Sequence, residues 1–216
     1  SKEFKSTFYP DIDINYLPLP MGVYFNNLPS YKPNSDQLKK FIYTGTVDHL
    51  RKTDIIIEAI SELKEEFVLD IFTQSSNETT RKIKNMGDVR INIYPAISRK
   101  ELFNRIADYD IGIGLIPEND LYNVSSPTKT LEYYSIGVPA LINYLPEYTH
   151  LFNDESAFFC SLTKTDIQRA VKEILNTPKE KIFAMGMKGR KIVEEQRDYR
   201  VLSEKLYNFL TNAYKQ

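Results

Sequence analysis

The chain has 216 residues with 28 Lys and Arg against 29 Asp and Glu, a formal charge of −1, 42% hydrophobic residues, one Cys and no Trp. That composition belongs to a soluble globular chain long enough for one large domain or two small ones, and its near-neutral balance argues against a dedicated nucleic-acid binder. Cys160 alone cannot form an internal disulfide, and the longest apolar run, 111–116, falls far short of the roughly 20 residues a membrane-spanning helix needs.

The sequence opens Ser1-Lys2-Glu3 with no apolar leader, which gives the expectation of a piece excised from a longer protein. Charge is uneven along it. From Lys164 onward 12 Lys and Arg stand against 7 Asp and Glu, a surplus of +5, so the preceding 16 against 22 carry −6. The plain reading is a solvated helical face; the sharper one is a weak contact with a membrane surface or an acidic partner.

Residues 1–39 hold five of the eleven prolines (Pro10, Pro18, Pro20, Pro29 and Pro33) and little helical periodicity, so they read as a linker and lead-in segment with 12–17 its best extended stretch. From Lys40 the texture changes. Short apolar runs at 41–44, 67–73, 89–93, 111–116 and 140–143 predict strands, and amphipathic stretches at 53–64, 78–85, 98–107 and 127–136 predict the helices between them. Strand and helix in alternation imply parallel pairing through right-handed crossovers, hence an α/β fold with an open, doubly wound, Rossmann-like sheet. A short strand at 157–160 is the last extended signal, and 166–176, 178–195 and 200–214 read as helix. Ser98-Arg-Lys-Glu101 and Thr177-Pro-Lys-Glu180 both have the spacing of a capping box. The fifteen tyrosines are scattered and read mostly as half-buried surface positions.

Ligands of such sheets bind outside the carboxyl ends of the strands, which directs attention to three loops. The first contains Gly45 and Thr46, whose backbone can approach a ligand, followed by Arg51 and Lys52 before a helix; together they suit a diphosphate. Its alternative is a tight turn with an exposed basic pair. The second, 115–130, ends in Ser125, Ser126, Pro127 and Thr128, with Ser126 expected as N-cap and Pro127 as first helical residue. Lys129 sits in the first turn, where the helix dipole disfavours a cation unless an anion is near. Glu132, on roughly the same face, has a carboxylate able to accept two hydrogen bonds from a vicinal diol such as a ribose, or it is an ordinary early-helix Glu. The third loop, Tyr94-Pro-Ala-Ile97, could edge a planar base or be a generic turn. His49 and His150 have no Cys or carboxylate at ligand spacing, so no metal is expected, and His49 reads as a solvent-facing turn residue.

Taken in order, F-I-Y-T-G-T-V-D-H-L-R-K from Phe41, Y-P-A-I-S-R-K-E-L from Tyr94, A-D-Y-D-I-G-I-G-L-I-P from Ala107 and S-P-T-K-T-L-E-Y-Y-S-I-G-V-P-A-L from Ser126 resemble the carboxyl-terminal, nucleotide-sugar-binding domain of family 4 glycosyltransferases with the GT-B fold. Pro20-Met-Gly-Val23 is similar to that family's interdomain segment. The resemblance implies three parts: linker 1–39, donor-binding domain 40–195, and 196–216 as a helix packing back toward a second domain. It further implies that Gly45, Thr46, Arg51 and Lys52 face the donor diphosphate and that Tyr94 and Ile97 edge the base. Ser126, Thr128 and Lys129 would lie at the phosphate-facing helix start, with Glu132 on the ribose. No cofactor or metal is implied where Arg51, Lys52 and Lys129 neutralise the phosphates.

The implied activity is that of a retaining, hexosyltransferase-type enzyme of polysaccharide biosynthesis. Its partners would be a nucleotide-sugar donor, a glycan or lipid-linked acceptor held by the other domain, and no nucleic acid. Its place would be the cytoplasm, at the inner membrane surface. The acid/base residue is expected in the other domain, leaving this chain alone inactive. One position departs from the pattern: Val124 stands where the family has the first of two Glu, with Glu118, Asn119 and Asp120 as substitutes for contacting the sugar. A nucleotide-sugar 2-epimerase of the same fold and a non-catalytic nucleotide-binding domain remain as alternatives.

Overall fold

The structure, a computed structural model, describes residues 2–12, 16–33 and 38–213. Six strands, β1 (Lys39–Thr44), β2 (Phe67–Thr73), β3 (Ile91–Pro95), β4 (Ile111–Ile113), β5 (Ala140–Ile142) and β6 (Phe158–Phe159), form one sheet in the order β3-β2-β1-β4-β5-β6. Every pairing is parallel, with β1 in register Lys39 to Phe67 against β2 and Phe41 to Ile111 against β4. Between strands run α2 (Thr53–Ser61), α3 (Glu78–Asn85), α4 (Arg99–Ile106), α5 (Asp120–Asn123), α6 (Thr128–Ile136) and α7 (Pro146–Leu151). After β6 come α8 (Lys164–Asn176), α9 (Lys179–Arg197) and α10 (Tyr199–Ala213), and α1 (Lys2–Phe8) precedes the sheet.

Both faces of the sheet are covered, as apolar strand runs require. Side chains alternate between two cores: Phe41, Tyr43, Leu69 and Ile71 point with Ile56, Ile60, Val171 and Ile174 to one side, while Ile42, Ile142, Leu131 and Tyr134 fill the other. Helix α6 lies unusually close to β4 because that strand carries glycines. A Cβ on Gly112 would sit 2.1 Å from the Tyr133 ring, and one on Gly114 would sit 2.7 Å from Thr130 Oγ1. Tyr133 uses that closeness to reach the end of β1, where its hydroxyl takes the Thr44 N–H at 3.0 Å. The sheet therefore fixes where α6 begins. Its strand order reverses direction between β1 and β4, the switch point at which such sheets open a crevice.

At the opposite, amino edge, Asp110 is buried and fully engaged. It accepts from the Tyr31 hydroxyl at 2.6 Å and the Lys40 N–H at 2.9 Å, and pairs with Lys179 Nζ at 3.3 Å. The lead-in segment is fastened rather than loose: Val23 bridges Asp198, its N–H donating to the Arg197 carbonyl at 2.9 Å, while Tyr31 N–H donates to Ile136.

Several sequence expectations need correction. Residues 2–8 are helical, and no strand forms at 12 or 16–17; the rest of that stretch, 13–15, lies outside the described residues. The strand predicted at 89–93 runs Ile91–Pro95, with Val89 92% exposed before it, and the one predicted at 111–116 ends at Ile113. Ser98 and Glu101 do form a reciprocal capping box. Thr177 does not cap α9, because its hydroxyl donates back to the Glu173 carbonyl of α8. Most described tyrosines do keep some exposure, but six, at 31, 43, 109, 133, 134 and 148, are buried, and each of these hydroxyls is hydrogen-bonded.

Candidate functional site

The carboxyl ends of β1, β2 and β3 open into a cleft of about 260 Å³ lined by Thr44, Gly45, Thr46, Phe72, Gln74, Ser75, Ile97 and Leu102, among others. Ligand pockets span about 300–1,000 Å³, so this volume fits one part of a larger site. Gly45 has φ +116°, a left-handed backbone open to glycine at little cost, and it turns the chain out of β1. Its N–H is not available to a ligand, since it donates to the Phe72 carbonyl at 3.0 Å. The loop it starts is strapped to the one after β2: Val47 N–H donates to Ser75 Oγ at 3.0 Å, and Asn77 Nδ2 to the Val47 carbonyl at 2.8 Å.

Tyr94 lies within β3 rather than in the loop after it, and stacks on Phe72 with centroids 5.2 Å apart. Of that aromatic pair Phe72 lines the cleft together with Ile97, and Tyr94 backs it. Glu132 projects from α6 to the start of α4, where it pairs with Arg99 at 3.2 Å. Burial raises its carboxyl above the usual range, and Arg99 pulls the other way.

The basic residues divide. Arg51 is bound to Asp48, its guanidinium at 2.6 Å and its N–H at 2.7 Å, and Lys52 takes the left-handed N-cap position of α2 with φ +51° and an exposed side chain. Lys129 lies deeper, its Nζ 4.2 Å from the centroid of the Tyr43 ring. Burial, helped by the nearby Arg51, pushes that ammonium down to about 7. Among the described residues no carboxylate pairs with it. A cation held over an aromatic face near a second one, itself paired with Asp48, is an arrangement that could accept an anion.

Helix α6 starts one residue later than the sequence suggests. Pro127 is the N-cap and offers no side-chain acceptor, so no side chain caps the first-turn N–H groups of α6. Ser126 does not cap the helix; its hydroxyl donates to Glu147 Oε1 at 2.9 Å, a carboxylate also held by Arg197 at 3.2 Å. Thr128 is exposed at the first helical position. Val124 ends the short helix α5. His49 is 81% exposed with Nδ1 2.9 Å from Asp54, consistent with a turn residue.

The structure thus brings Gly45, Thr46 and Ile97 to the cleft, stacks Tyr94 behind its Phe72 wall, sets Arg51 and Lys129 near each other, and pairs Glu132 with Arg99 at the start of α4. Sequence reasoning missed Tyr43, which seats Lys129, and Gln74 and Ser75. Those two carry no charge and no spacing signal; only their position after a strand marked them.

Residues 51–208 match the family described as glycosyl transferase-like. This chain belongs to that family. No curated protein sequence matches it. Among solved structures it is similar to the sucrose-phosphate synthase of Thermosynechococcus elongatus, with 10% identity over 99% of this chain and 56% of that one and a TM-score of 0.75. It is also similar to the C-terminal domain of the group 1 glycosyl transferase LpcC of Francisella tularensis, at 13% identity over 82% of this chain and 99% of that one, TM-score 0.65. A third is HepE of Anabaena, solved in complex with UDP-glucose, at 12% identity over 88% of this chain and 56% of that one, TM-score 0.68. At these identities the likeness shows a shared fold, the Rossmann-like unit of GT-B glycosyltransferases. The chain spans a little over half the length of the synthase.

Proposed function

We propose that this chain is the carboxyl-terminal, nucleotide-sugar-binding half of a retaining, hexosyltransferase-type family 4 enzyme that moves a sugar from a nucleoside diphosphate to a glycan or lipid-linked acceptor. The observation that carries this reading is Lys129, seated over Tyr43 near Arg51, without a carboxylate to neutralise it among the described residues. The base fits between Ile97, Leu102 and the Phe72–Tyr94 stack, and Glu132 accepts from the ribose hydroxyls. The diphosphate meets Lys129, Arg51, Lys52 and the uncapped first turn of α6. HepE was solved with UDP-glucose, which favours a nucleotide sugar as the ligand class.

As the bond between the sugar C1 and the phosphate oxygen breaks, its electron pair goes to that oxygen. The basic residues and the helix start then stabilise charge that develops only in the transition state, which is where such contacts accelerate reaction. The acceptor and its acid/base group belong to a second domain that α10 would pack toward, with 1–39 as the link between the two. The surplus of basic residues from Lys164 onward favours work at an anionic inner membrane surface, in the cytoplasm, as polysaccharide assembly requires.

Calorimetric titration with UDP, GDP and ADP tests the reading. One nucleotide should bind selectively, and Lys52→Ala and Glu132→Ala should each weaken it; hydrogen bonds to charged groups contribute about 1.5–3 kcal/mol. A chain that binds none of the three overturns it.

A further inference from the structure

Beyond the cleft, the carboxyl edge of the sheet carries a second group of side chains. Just past the end of β5, Asn143 is completely buried and its amide holds the loop after β4: Nδ2 donates to Glu118 Oε1 at 3.1 Å while Oδ1 accepts the Ile116 N–H at 3.3 Å. Glu118, in the loop after β4, is exposed. The other two polar residues of that stretch serve α5, since Asn119 Oδ1 caps it through the Tyr122 N–H and Asp120 sits in its first turn. Glu118 is thus the carboxylate of this loop that the sheet itself orients.

Tyr144 follows directly. Its ring stacks on Phe159 at the end of β6, centroids 5.2 Å apart and planes 22° from parallel, and it is 58% exposed. One face is packed and the other is open, in contrast to the six core tyrosines. Glu118 and Asn143, in contact with each other, and the Tyr144–Phe159 pair thus follow the carboxyl ends of β4, β5 and β6, neighbouring strands about 4.8 Å apart.

We propose that Glu118, Asn143 and Tyr144 form a pyranose subsite. The carboxylate accepts from a vicinal diol and the amide holds it in place, while the tyrosine ring covers the apolar C–H face of the sugar. The sugar is either the one carried by the nucleotide or one of a saccharide acceptor; only the first of these rests on the proposed function.

Glu118→Gln, Tyr144→Ala and Tyr144→Phe, all surface changes, separate the possibilities. In calorimetry UDP, GDP and ADP are compared with their glucose conjugates, and free maltose is followed by saturation-transfer NMR. A transferred-sugar site predicts that Glu118→Gln and Tyr144→Ala weaken the conjugate about tenfold or more, leave the nucleoside diphosphate unchanged, and that Tyr144→Phe behaves as wild type. An acceptor site predicts saturation transfer to maltose that Tyr144→Ala abolishes and Tyr144→Phe keeps, with both nucleotide titrations unmoved. Variants indistinguishable from wild type in both arms overturn the subsite. A wild-type chain that binds maltose through Tyr144 but no nucleotide overturns the donor reading and leaves the subsite standing.

Discussion

At the amino edge of the sheet Asp110 gathers the Tyr31 hydroxyl, the Lys40 N–H and the Lys179 ammonium, whereas at the carboxyl edge Lys129 rests against the Tyr43 ring and faces Arg51. Both sites draw charge out of water, the first fully and the second in part. In the first the opposite charge comes from the fold, so removing either partner should harm folding; in the second the opposite charge would come from a ligand. One edge of the sheet is closed by its own charges; on the proposed reading the other is completed by a ligand.

Asp110→Ala should have the largest effect. It takes the carboxylate from a buried lysine, a change that costs about 3–5 kcal/mol in comparable buried pairs, and urea denaturation should show it with little change in nucleotide affinity per folded molecule. A loss below about 1 kcal/mol would break the contrast between the edges. Lys129→Met should do the reverse. Stability should hold or rise, because a buried cation is replaced by an apolar chain, while nucleoside diphosphate affinity falls by about 10- to 100-fold.

The pH dependence sharpens the same point. Folding holds the Lys129 ammonium down at about 7 against its ordinary 10.5, so between those values the unfolded chain binds more protons and this lysine makes stability rise with pH. On the proposed reading nucleotide binding needs the ammonium and should weaken as pH climbs through 7 to 8, a trend that Lys129→Arg should remove in calorimetry. The smallest effect belongs to Lys52→Gly. The left-handed backbone there costs a side-chain-bearing residue about 1 kcal/mol, which the glycine's extra freedom in the unfolded chain largely offsets, so thermal unfolding should barely move while affinity drops.

The β and α alternation was legible because two-faced apolar runs such as 67–73 and 111–116 leave few other solutions. The Ser98–Glu101 box was legible because both partners lie within one turn. Ser126 and Thr177 have the same local chemistry and were misread, since partners elsewhere claim their hydroxyls: Glu147 for one and the Glu173 carbonyl for the other. The positions of Gly45 and Ile97 beyond strand ends and of Lys129 in the first turn of α6 were legible from the alternation itself. The strap of Ser75 and Asn77 onto the first loop was not, because residues about 30 apart meet only when β1 and β2 pair.

The buried tyrosines have a spectroscopic consequence. With no Trp in the chain, its near-ultraviolet absorbance is dominated by fifteen phenols. Burial first, and then for some a neighbouring carboxylate, raises the ionisation of Tyr31, Tyr43, Tyr109, Tyr133, Tyr134 and Tyr148 beyond that of an ordinary phenol. An alkaline titration should therefore produce phenolate colour in two waves, the exposed rings first and the core rings together as the fold gives way, so that the protein reports its own unfolding without a dye or a label.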